Sequence, residues 1–547
     1  MIYFLSFLWF LRQTKAVLFW LYLWQLKEYH IGRFVDHFRT EKGKKLLLNG
    51  LLILKIILAL SFLALIFITG TIARYSRFFN LFISSLFILY FLELIKFFQD
   101  SVSRKVKKPV LTKKTIFLIS TVCAFEVFYF LSLFQDRTLF FFWLLTFDIL
   151  TPLIVSGIVL LFQPLAVLLK NQIIEKAKRK RQRFKNLLVI GITGSYGKTS
   201  TKEFLVAILS EKYRVLKTRE HQNSEIGISY CILNELNENH EIFIAEMGAY
   251  NRGGIRLLCD MTKPKIGILT GINEQHMATF GSLENIIKAK YELIESLPEN
   301  GTAIFNGNNK IIQDLRTEIK NYNQKIKDIR FCSSKGKMDV WAEDIKTEKE
   351  YIVFKVFSKD GDSASFKINL LGAQNVENIL LAACCAKELG MTLEEISSAC
   401  KKIKQEQGGM KILKGVKGFN IIDSTYSSNP NGVISHLEYL KSWKAKKIIV
   451  MPCLIELGKA SREIHQRIGR KISEVCGLAI ITTKDRFKDL KEGMISSGQK
   501  KERILFIENP EEIVKTIKVF SGKDDVVLLE GRISKESLDR LSLSKEE

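Results

Sequence analysis

The ten residues Gly191-Ile192-Thr193-Gly194-Ser195-Tyr196-Gly197-Lys198-Thr199-Ser200 follow an apolar run, Leu187 to Ile190, and open a helix-like segment, Thr201 to Leu209. Strand, glycine loop and helix in that order make a phosphate cradle. Glycines let backbone N–H groups close on an anionic oxygen, and the helix N-terminus adds partial positive charge. Lys198 is spaced to reach the β- and γ-phosphates and Thr199 to ligate Mg²⁺, so Thr193 to Ser200 are expected to bind a nucleoside triphosphate. The strict pattern G-x-x-x-x-G-K-[ST] would have glycine at 192, where Ile192 stands, and the spacing is instead T-G-x-x-G-K-T. Two more polar groups follow apolar runs: Glu246 after Ile242 to Ala245, and Asn273 to His276 after Ile266 to Leu269. Taken singly, each of these is also what a helix cap, a solvated charge or a hydrogen-bonded structural histidine looks like.

The elements that must position these groups are short apolar strands alternating with amphipathic helices: Leu187 to Ile192, Val215 to Lys217, Ile242 to Ala245, Ile266 to Leu269 and Ala303 to Phe305. Such alternation predicts an α/β domain over 187–406, a parallel sheet with helices on both faces and function at the carboxyl ends of the strands. A second α/β unit is expected over 407–547. Its strands lie near Phe419 to Ile422, Ile448 to Met451, Leu478 to Ile481, Ile504 to Phe506 and Val526 to Leu529. Nine cysteines show no C-x-x-C pair and no Cys/His ligand spacing, which fits reduced cytosolic thiols.

The formal net charge is +25, and residues 1–186 carry most of it, with 27 Lys and Arg against 9 Asp and Glu. That same region is apolar. Runs from Leu51 to Ala73, Phe79 to Leu94, Ile116 to Leu133 and Leu139 to Leu169 have lengths suited to a hydrocarbon core of roughly 30 Å. Basic residues cluster at Arg33 to Lys45, Arg104 to Lys114 and Lys176 to Lys185, whereas the alternate loops hold Arg74 and Arg77, then Arg137. The positive-inside rule makes the three rich segments cytoplasmic and predicts four α-helical spans over 1–170, a multi-pass protein of the cytoplasmic membrane with everything after Lys170 in the cytosol. The charge asymmetry is therefore topology in a lipid bilayer, and no nucleic acid is expected as a partner. In the first 27 residues, Ile2 to Phe10 and Ala16 to Leu26 are each too short to span and are separated by Arg12 and Lys15, which predicts an interfacial segment. Residues 171–186 read as a basic linker against anionic lipid. Glu93, Glu126 and Asp148 fall in or near the spans, where ionisable groups are either functional or paired within the bundle.

Eight collinear motifs give the soluble part a resemblance: TGSYGKTSTKE at 193–203, NSEIG at 223–227, AEMGAYNRGGI at 245–255, TGINEQHMATFGS at 270–282, AKYE at 289–292, GAQNVEN at 372–378, DSTYSSNP at 423–430, and IELG at 455–458 with His465 following. From Leu187 to the C-terminus, about two thirds of the chain, the sequence resembles the Mur ligases, ATP-dependent amide ligases of peptidoglycan synthesis. It looks most like the branch that joins D-alanyl-D-alanine to a UDP-N-acetylmuramoyl-tripeptide. The resemblance implies a central P-loop domain over 187–406 and a Rossmann-like C-terminal domain over 407–547 that closes over ATP. It implies a catalytic set of Lys198, Glu246, His276 and Lys290. One Mg²⁺ would be held by Thr199 and Glu246, and a second attended by His276 and a carbamylated Lys290. Asn375 and Asn378 match the adenine-proximal pair, Asp423 the position near the ribose, and Tyr426 and Asn429 the loop facing the reaction centre. Asn375 and Asn378 are equally suited to capping the helix Val376 to Glu388, and Asp423 to ending a strand.

The chain departs from the branch pattern at several positions. The branch has a second aspartate at Ser424, asparagines at His221, Ser224 and Ser427, a histidine at Gln374, and an arginine in the segment Gly408-Gly409-Met410. Membrane helices stand where the branch carries a small uridine-gripping domain. The expected function is a membrane-anchored ligase of cell-wall biogenesis and cell shape, adding D-alanyl-D-alanine or another amine to a muramyl-peptide carboxylate through an acyl phosphate. The alternatives are a ligase of the same fold acting on a lipid-linked or poly-amino-acid acceptor, or an NTP-driven membrane transporter or switch.

Overall fold

The computed structural model describes all residues except 1, 48, 70–76, 103–105, 134–138, 220–221, 316–325, 327, 427 and 543–547. Of the positions named above, Ala73, Arg74, Arg104, Arg137, His221 and Ser427 lie outside the described residues. The chain forms two compact units, Met1–Leu169 and Lys170–Glu547.

The first unit is all helical: α1 (Ile2–Leu26), α2 (Gly50–Thr69), α3 (Arg77–Val102), α4 (Lys113–Leu133) and α5 (Phe140–Leu161), with α6 (Gln163–Gln182) beginning after a turn at Phe162. Among the described residues, four helices are long and apolar enough to cross a membrane, with mean hydropathy of 2.0 to 2.4 in their most apolar windows. Most of their large side chains face outward, as Leu60, Phe67, Leu92, Phe128 and Leu153 do.

Contrary to the interfacial expectation, the first residues form one 25-residue helix whose Leu5, Trp9 and Leu21 are fully buried in the bundle. Arg12 and Lys15 do not break it because each finds an acid. Arg12 contacts Glu93 at 2.8 Å and Asp148 at 3.1 Å, and Lys15 meets Asp100 at 3.0 Å. Lys55 closes the cluster, 2.8 Å from Glu93 and 2.6 Å from Asp148. Two cations and two carboxylates from α1, α2, α3 and α5 thus neutralise one another inside an apolar bundle, where an unpaired charge would be costly. Glu126 is buried as well, and its Oε1 has no hydrogen-bond partner among the described residues.

In the second unit, the segment expected as a linker is the end of α6, docked on the α/β fold. Ile174 and Ala177 are buried against Ile228, Ile232, Leu258 and Met261. Lys180 Nζ donates to Leu233 O at 2.9 Å, Arg181 Nε donates to Thr262 O at 2.7 Å, and Lys170 pairs with Glu225.

Among the described residues, fifteen strands then build two sheets. The first contains β1 (Leu188–Thr193), β2 (Val215–Lys217), β3 (Ile242–Glu246), β4 (Ile266–Leu269), β5 (Thr302–Asn306), β6 (Asp328–Ser333), β7 (Val340–Thr347), β8 (Ile352–Ser358) and β9 (Ser363–Ile368), in the order β2-β3-β1-β4-β5-β6-β7-β8-β9. Strands β1 to β6 pair in parallel, and β7-β8-β9 form an antiparallel extension. Chain order reverses at β1, between β3 and β4, and such a switch point leaves a crevice at the carboxyl ends of the strands. The second sheet has β10 (Lys411–Lys414), β11 (Asn420–Ser424), β12 (Lys447–Met451), β13 (Leu478–Ile481), β14 (Ile504–Phe506) and β15 (Val526–Glu530), in the order β10-β11-β15-β12-β13-β14. All its pairs are parallel except the edge strand β10. The expected strands of both sheets are present, and β6 to β10 are additional to them.

The charge cluster of the first unit yields a direct test. Lys55→Met should destabilise the unit by about 3–5 kcal/mol, because it leaves the buried Asp148 and the partly buried Glu93 sharing one cation. Lys55→Met/Asp148→Leu should recover most of that loss. Thermal unfolding of detergent-solubilised protein measures both, and an unchanged midpoint for Lys55→Met would show that the cluster contributes nothing.

Candidate active site

The glycine loop leaves β1 at the switch point and enters α7 (Lys198–Leu209) through Gly197, whose φ of 76° is in the left-handed region. A Cβ there would lie 2.5 Å from Asn378 Oδ1, so this position requires glycine for close approach as well as conformation. Lys198 Nζ donates to Gly194 O at 2.9 Å. Burial lowers the Lys198 pKa, opposed by the attraction of Glu246. Tyr196 lies against Gly271, and its hydroxyl accepts from Asn309 Nδ2 at 3.0 Å.

Glu246, the last residue of β3, is the hub of the site. Thr199 Oγ1 donates to its Oε2 at 3.1 Å, Asn223 Nδ2 donates to its Oε1 at 3.0 Å, and Lys202 Nζ lies 3.3 Å from Oε2. Burial alone would raise its pKa; Lys198, Lys202 and the two hydrogen bonds hold it below the usual carboxylate range instead. An ionised carboxylate beside a threonine hydroxyl at the end of a phosphate loop is an oxygen donor set suited to Mg²⁺, which takes few protein ligands and the rest from phosphate and water. Among the described residues there is no ready-made cluster of three or more His, Cys, Asp or Glu.

His276 and Lys290 lie beyond this hub. His276 has φ 67° and its Nδ1 is 2.5 Å from Glu456 Oε2; Glu456, reached from the second sheet, is itself at φ 64°. Burial lowers the His276 pKa, partly offset by Glu456. Lys290 sits on α8 (Leu283–Glu295), is buried, and has no carboxylate at ion-pair distance among the described residues. Its Nζ lies 5.9 Å from the Phe280 ring centroid. Burial, with repulsion from Lys198 added, pulls its pKa down to about 7.

Asn375 and Asn378 open α9 (Gln374–Glu388) as buried groups. Asn375 Nδ2 donates to Leu371 O at 3.0 Å, and Asn378 Oδ1 accepts from Thr201 Oγ1 at 3.3 Å, which fixes α9 against the phosphate loop. Asp423 is the penultimate residue of β11, where its Oδ1 accepts from Thr425 N and Oγ1, and Lys411 stands 3.4 Å away. Asn429 caps α10 (Pro430–Leu440) by accepting from Gly432 N. Beside it, Asn431 accepts from Asn273 Nδ2 of the first sheet at 3.0 Å.

One cleft of about 1790 Å³ joins these parts, lined by Ser195 to Ser200, Glu246, Asn375 and Asn378 on one side and Asp423, Tyr426 and Asn429 on the other. His276 and Lys290 do not line it; both lie within electrostatic reach of Lys198, which does. Sequence reasoning did not single out Lys202, Asn309, Glu456, His436 or Glu530, and it marked Ser424 only as a departure from the branch pattern. Lys202 and Glu456 were inside quoted motifs, whereas nothing local marked Asn309, His436 or Glu530.

This is the arrangement of a family. Residues 192–386 match the Mur ligase middle domain and residues 408–533 the Mur ligase glutamate ligase domain, together more than half of the chain. The chain belongs to the Mur ligases, ATP-dependent enzymes that form carbon–nitrogen bonds, and the transporter or switch reading falls away. Among its relatives is the UDP-N-acetylmuramoyl-tripeptide–D-alanyl-D-alanine ligase of Bacillus subtilis, 28% identical over 62% of this chain and 72% of that protein. The ligase of the same name from Synechocystis is 31% identical over 53% of this chain, and only 60% of its own length is spanned. The MurF ligase of Thermotoga maritima in complex with ADP superposes with a TM-score of 0.59 at 27% identity, over 66% of this chain and 80% of that one. A MurF structure from Acinetobacter baumannii shares the fold, with a TM-score of 0.60 over 68% of this chain and 79% of that one, at 24% identity.

His465 of the second sheet's domain supports the site from behind and has a pH signature. It is fully buried; its Nδ1 donates to Ser461 O at 2.6 Å and its Nε2 accepts from Leu454 N at 3.0 Å, two residues before Glu456. Burial lowers its pKa, so the folded protein keeps it neutral while the unfolded chain takes up a proton near pH 6.5. The unfolded state then binds more protons, and stability is lost as pH falls below about 6.5. The thermal midpoint should drop between about pH 7.5 and 5.5, and drop less in His465→Gln. An identical pH dependence in the two proteins would contradict this account.

Proposed function

We propose that the chain is a membrane-anchored ATP-dependent ligase of peptidoglycan precursor synthesis that joins D-alanyl-D-alanine to the carboxylate of a muramyl tripeptide through an acyl phosphate. The observation that carries this reading is the single cleft, in which a phosphate loop and an ionised Glu246 face the Asp423 to Asn429 loop of the second domain. Lys198 and the loop amides would hold the β- and γ-phosphates of ATP, offsetting charge on the transferring group. Thr199 and Glu246 would hold one Mg²⁺, whose charge neutralises phosphoryl oxygens. Asn375 and Asn378 would lie at the adenine and Asp423 at the ribose. The acceptor carboxylate takes the γ-phosphoryl group and ADP departs; the amine then attacks the acyl carbon and inorganic phosphate leaves.

His276, kept neutral, and Lys290 would attend a second Mg²⁺. A lysine pulled down to about 7 is substantially a free amine near neutral pH, the form that adds carbon dioxide. Carbamylation would exchange a cation that repels metal for an oxygen ligand. The apolar helices of residues 1–169 would hold the catalytic unit at the cytosolic face of the bilayer. A lipid-linked or poly-amino-acid acceptor has no counterpart in the relatives described, which are named for a UDP-linked tripeptide.

The test is phosphate release by the purified full chain with ATP, Mg²⁺, UDP-N-acetylmuramoyl-tripeptide and D-alanyl-D-alanine. Turnover should require all four and fall by about 10²–10³-fold in Lys198→Ala. A piece starting at Lys170, which keeps the docked end of α6, should retain it while leaving the membrane fraction. Turnover independent of the tripeptide or the amine would reject the reading.

Lys290→Ala should lose activity and regain part of it with added formate or acetate. Full activity without either would remove Lys290 from the metal site.

A further inference from the structure

Where β11 and β15 end side by side, a histidine is held between a hydroxyl and a carboxylate. His436 Nδ1 is 2.7 Å from Glu530 Oε2 and 3.0 Å from Ser424 Oγ. Glu530 is fully buried, its other oxygen has no hydrogen-bond partner, and among the described residues His436 is the group paired with it at ion-pair distance. A carboxylate only accepts, so Nδ1 carries the proton shared with Glu530, and in the neutral ring Nε2 carries the lone pair. No hydrogen bond from the described residues reaches Nε2. The His436 side chain is 10% exposed, and that exposure opens onto the active-site cleft, which Ser424 and His436 line and Glu530 does not.

The chemistry of this cleft lacks one function among the groups assigned so far. An amine arrives in water as an ammonium and must lose a proton before it attacks an acyl phosphate. A base for that task needs an accessible lone pair, an orienting partner behind it and a place on the side from which the amine enters. His436 meets all three: its Nε2 takes no hydrogen bond from the described residues, Glu530 fixes its tautomer, and it stands on α10 two turns beyond Asn429, in the domain facing the phosphate loop. Glu530 also stabilises the imidazolium that forms, as an orienting carboxylate does in other histidine bases.

We propose that His436, backed by Glu530, is the catalytic base that accepts the proton of the incoming amine. The proposal rests on the ligase reading. The ammonium gives one proton to Nε2. Its nitrogen lone pair forms the new C–N bond as the bond between the acyl carbon and the phosphate oxygen breaks, and that electron pair leaves with inorganic phosphate. The nitrogen's second excess proton goes to the departing phosphate, and the imidazolium discharges to solvent. Ser424 shares the Nδ1 side and positions the ring.

The experiment separates acyl-phosphate formation from amine attack. Wild type, His436→Gln and Glu530→Gln are each given ATP, Mg²⁺ and UDP-N-acetylmuramoyl-tripeptide. The nucleophile is either D-alanyl-D-alanine or hydroxylamine, which is already a free base at neutral pH. His436→Gln should make hydroxamate at the wild-type rate while amide formation falls by about 10²-fold, and Glu530→Gln should show the same split to a smaller degree. Wild-type amide formation by His436→Gln would overturn the proposal. So would parallel loss of amide and hydroxamate in both variants, which would make the pair a structural prop. Absence of hydroxamate from the wild type would instead strike the ligase reading beneath it.

Discussion

A buried carboxylate stays ionised only if something nearby compensates for the water it has lost, and Glu246 is where this protein meets that constraint. Its partners come from separate stretches: Thr199 and Lys202 from α7, Asn223 from a loop, and Thr218 Oγ1, which accepts from its backbone N–H at 3.0 Å. Each stretch is placed by the parallel pairing of β1, β2 and β3. The sheet order is thus what allows the charge to exist. Lys202 in turn leans on Glu203, which also pairs with Lys217, so the alternating charges run from the site to the edge strand β2. Such a network is expensive to leave half made, and it ties the position of the phosphate loop to the integrity of the sheet edge.

The helical unit meets the same constraint inside an apolar bundle. Arg12, Lys55, Glu93 and Asp148 sit on four helices that otherwise associate through apolar packing, which has little directional preference. The cluster supplies register: α1 must present Arg12 at the level of Asp148 on α5 and Glu93 on α3. Trp9 Nε1, donating to Leu144 O at 2.9 Å, adds a second fixed point one turn away.

How much of this was legible beforehand depended on whether the signal was local. The phosphate loop was, because its chemistry occupies consecutive residues between a strand and a helix. The buried runs of β1, β3, β4, β12, β13 and β15 were, because strands covered on both faces are continuously apolar. The β7-β8-β9 extension carried its signal as alternation, with Ile352, Phe354 and Val356 buried and Lys355 exposed, a half-buried pattern unlike the parallel strands before it. Arg12 and Lys15 looked like an interruption since their acids lie more than eighty residues away. The basic residues after Lys170 looked like a linker because their partners are mostly backbone carbonyls, which no side-chain pattern reveals. Glu456 with His276, and His436 with Glu530, are pairs separated by 180 and 94 residues.

The contact between His276 and Glu456 joins the two sheet domains beside the cleft at a cost in backbone energy. Both residues are non-glycine and both occupy the left-handed region, a conformation worth about 1–3 kcal/mol of strain apiece. Strain of that size persists only where the surroundings dictate it. On the Glu456 side the dictating group is His465, whose Nε2 fixes Leu454; Ala278 N then donates to Glu456 O at 3.1 Å, clasping the loop to the phosphate-binding half. Tyr439, whose hydroxyl donates to Lys349 O, and Asn431, which accepts from Asn273, add contacts along α10. The helix that carries His436 is therefore set against the phosphate-binding domain at several points. A change that loosens the clasp should be felt first at His276, since the same short loop positions its ring, while α10 keeps its own contacts through Tyr439 and Asn431.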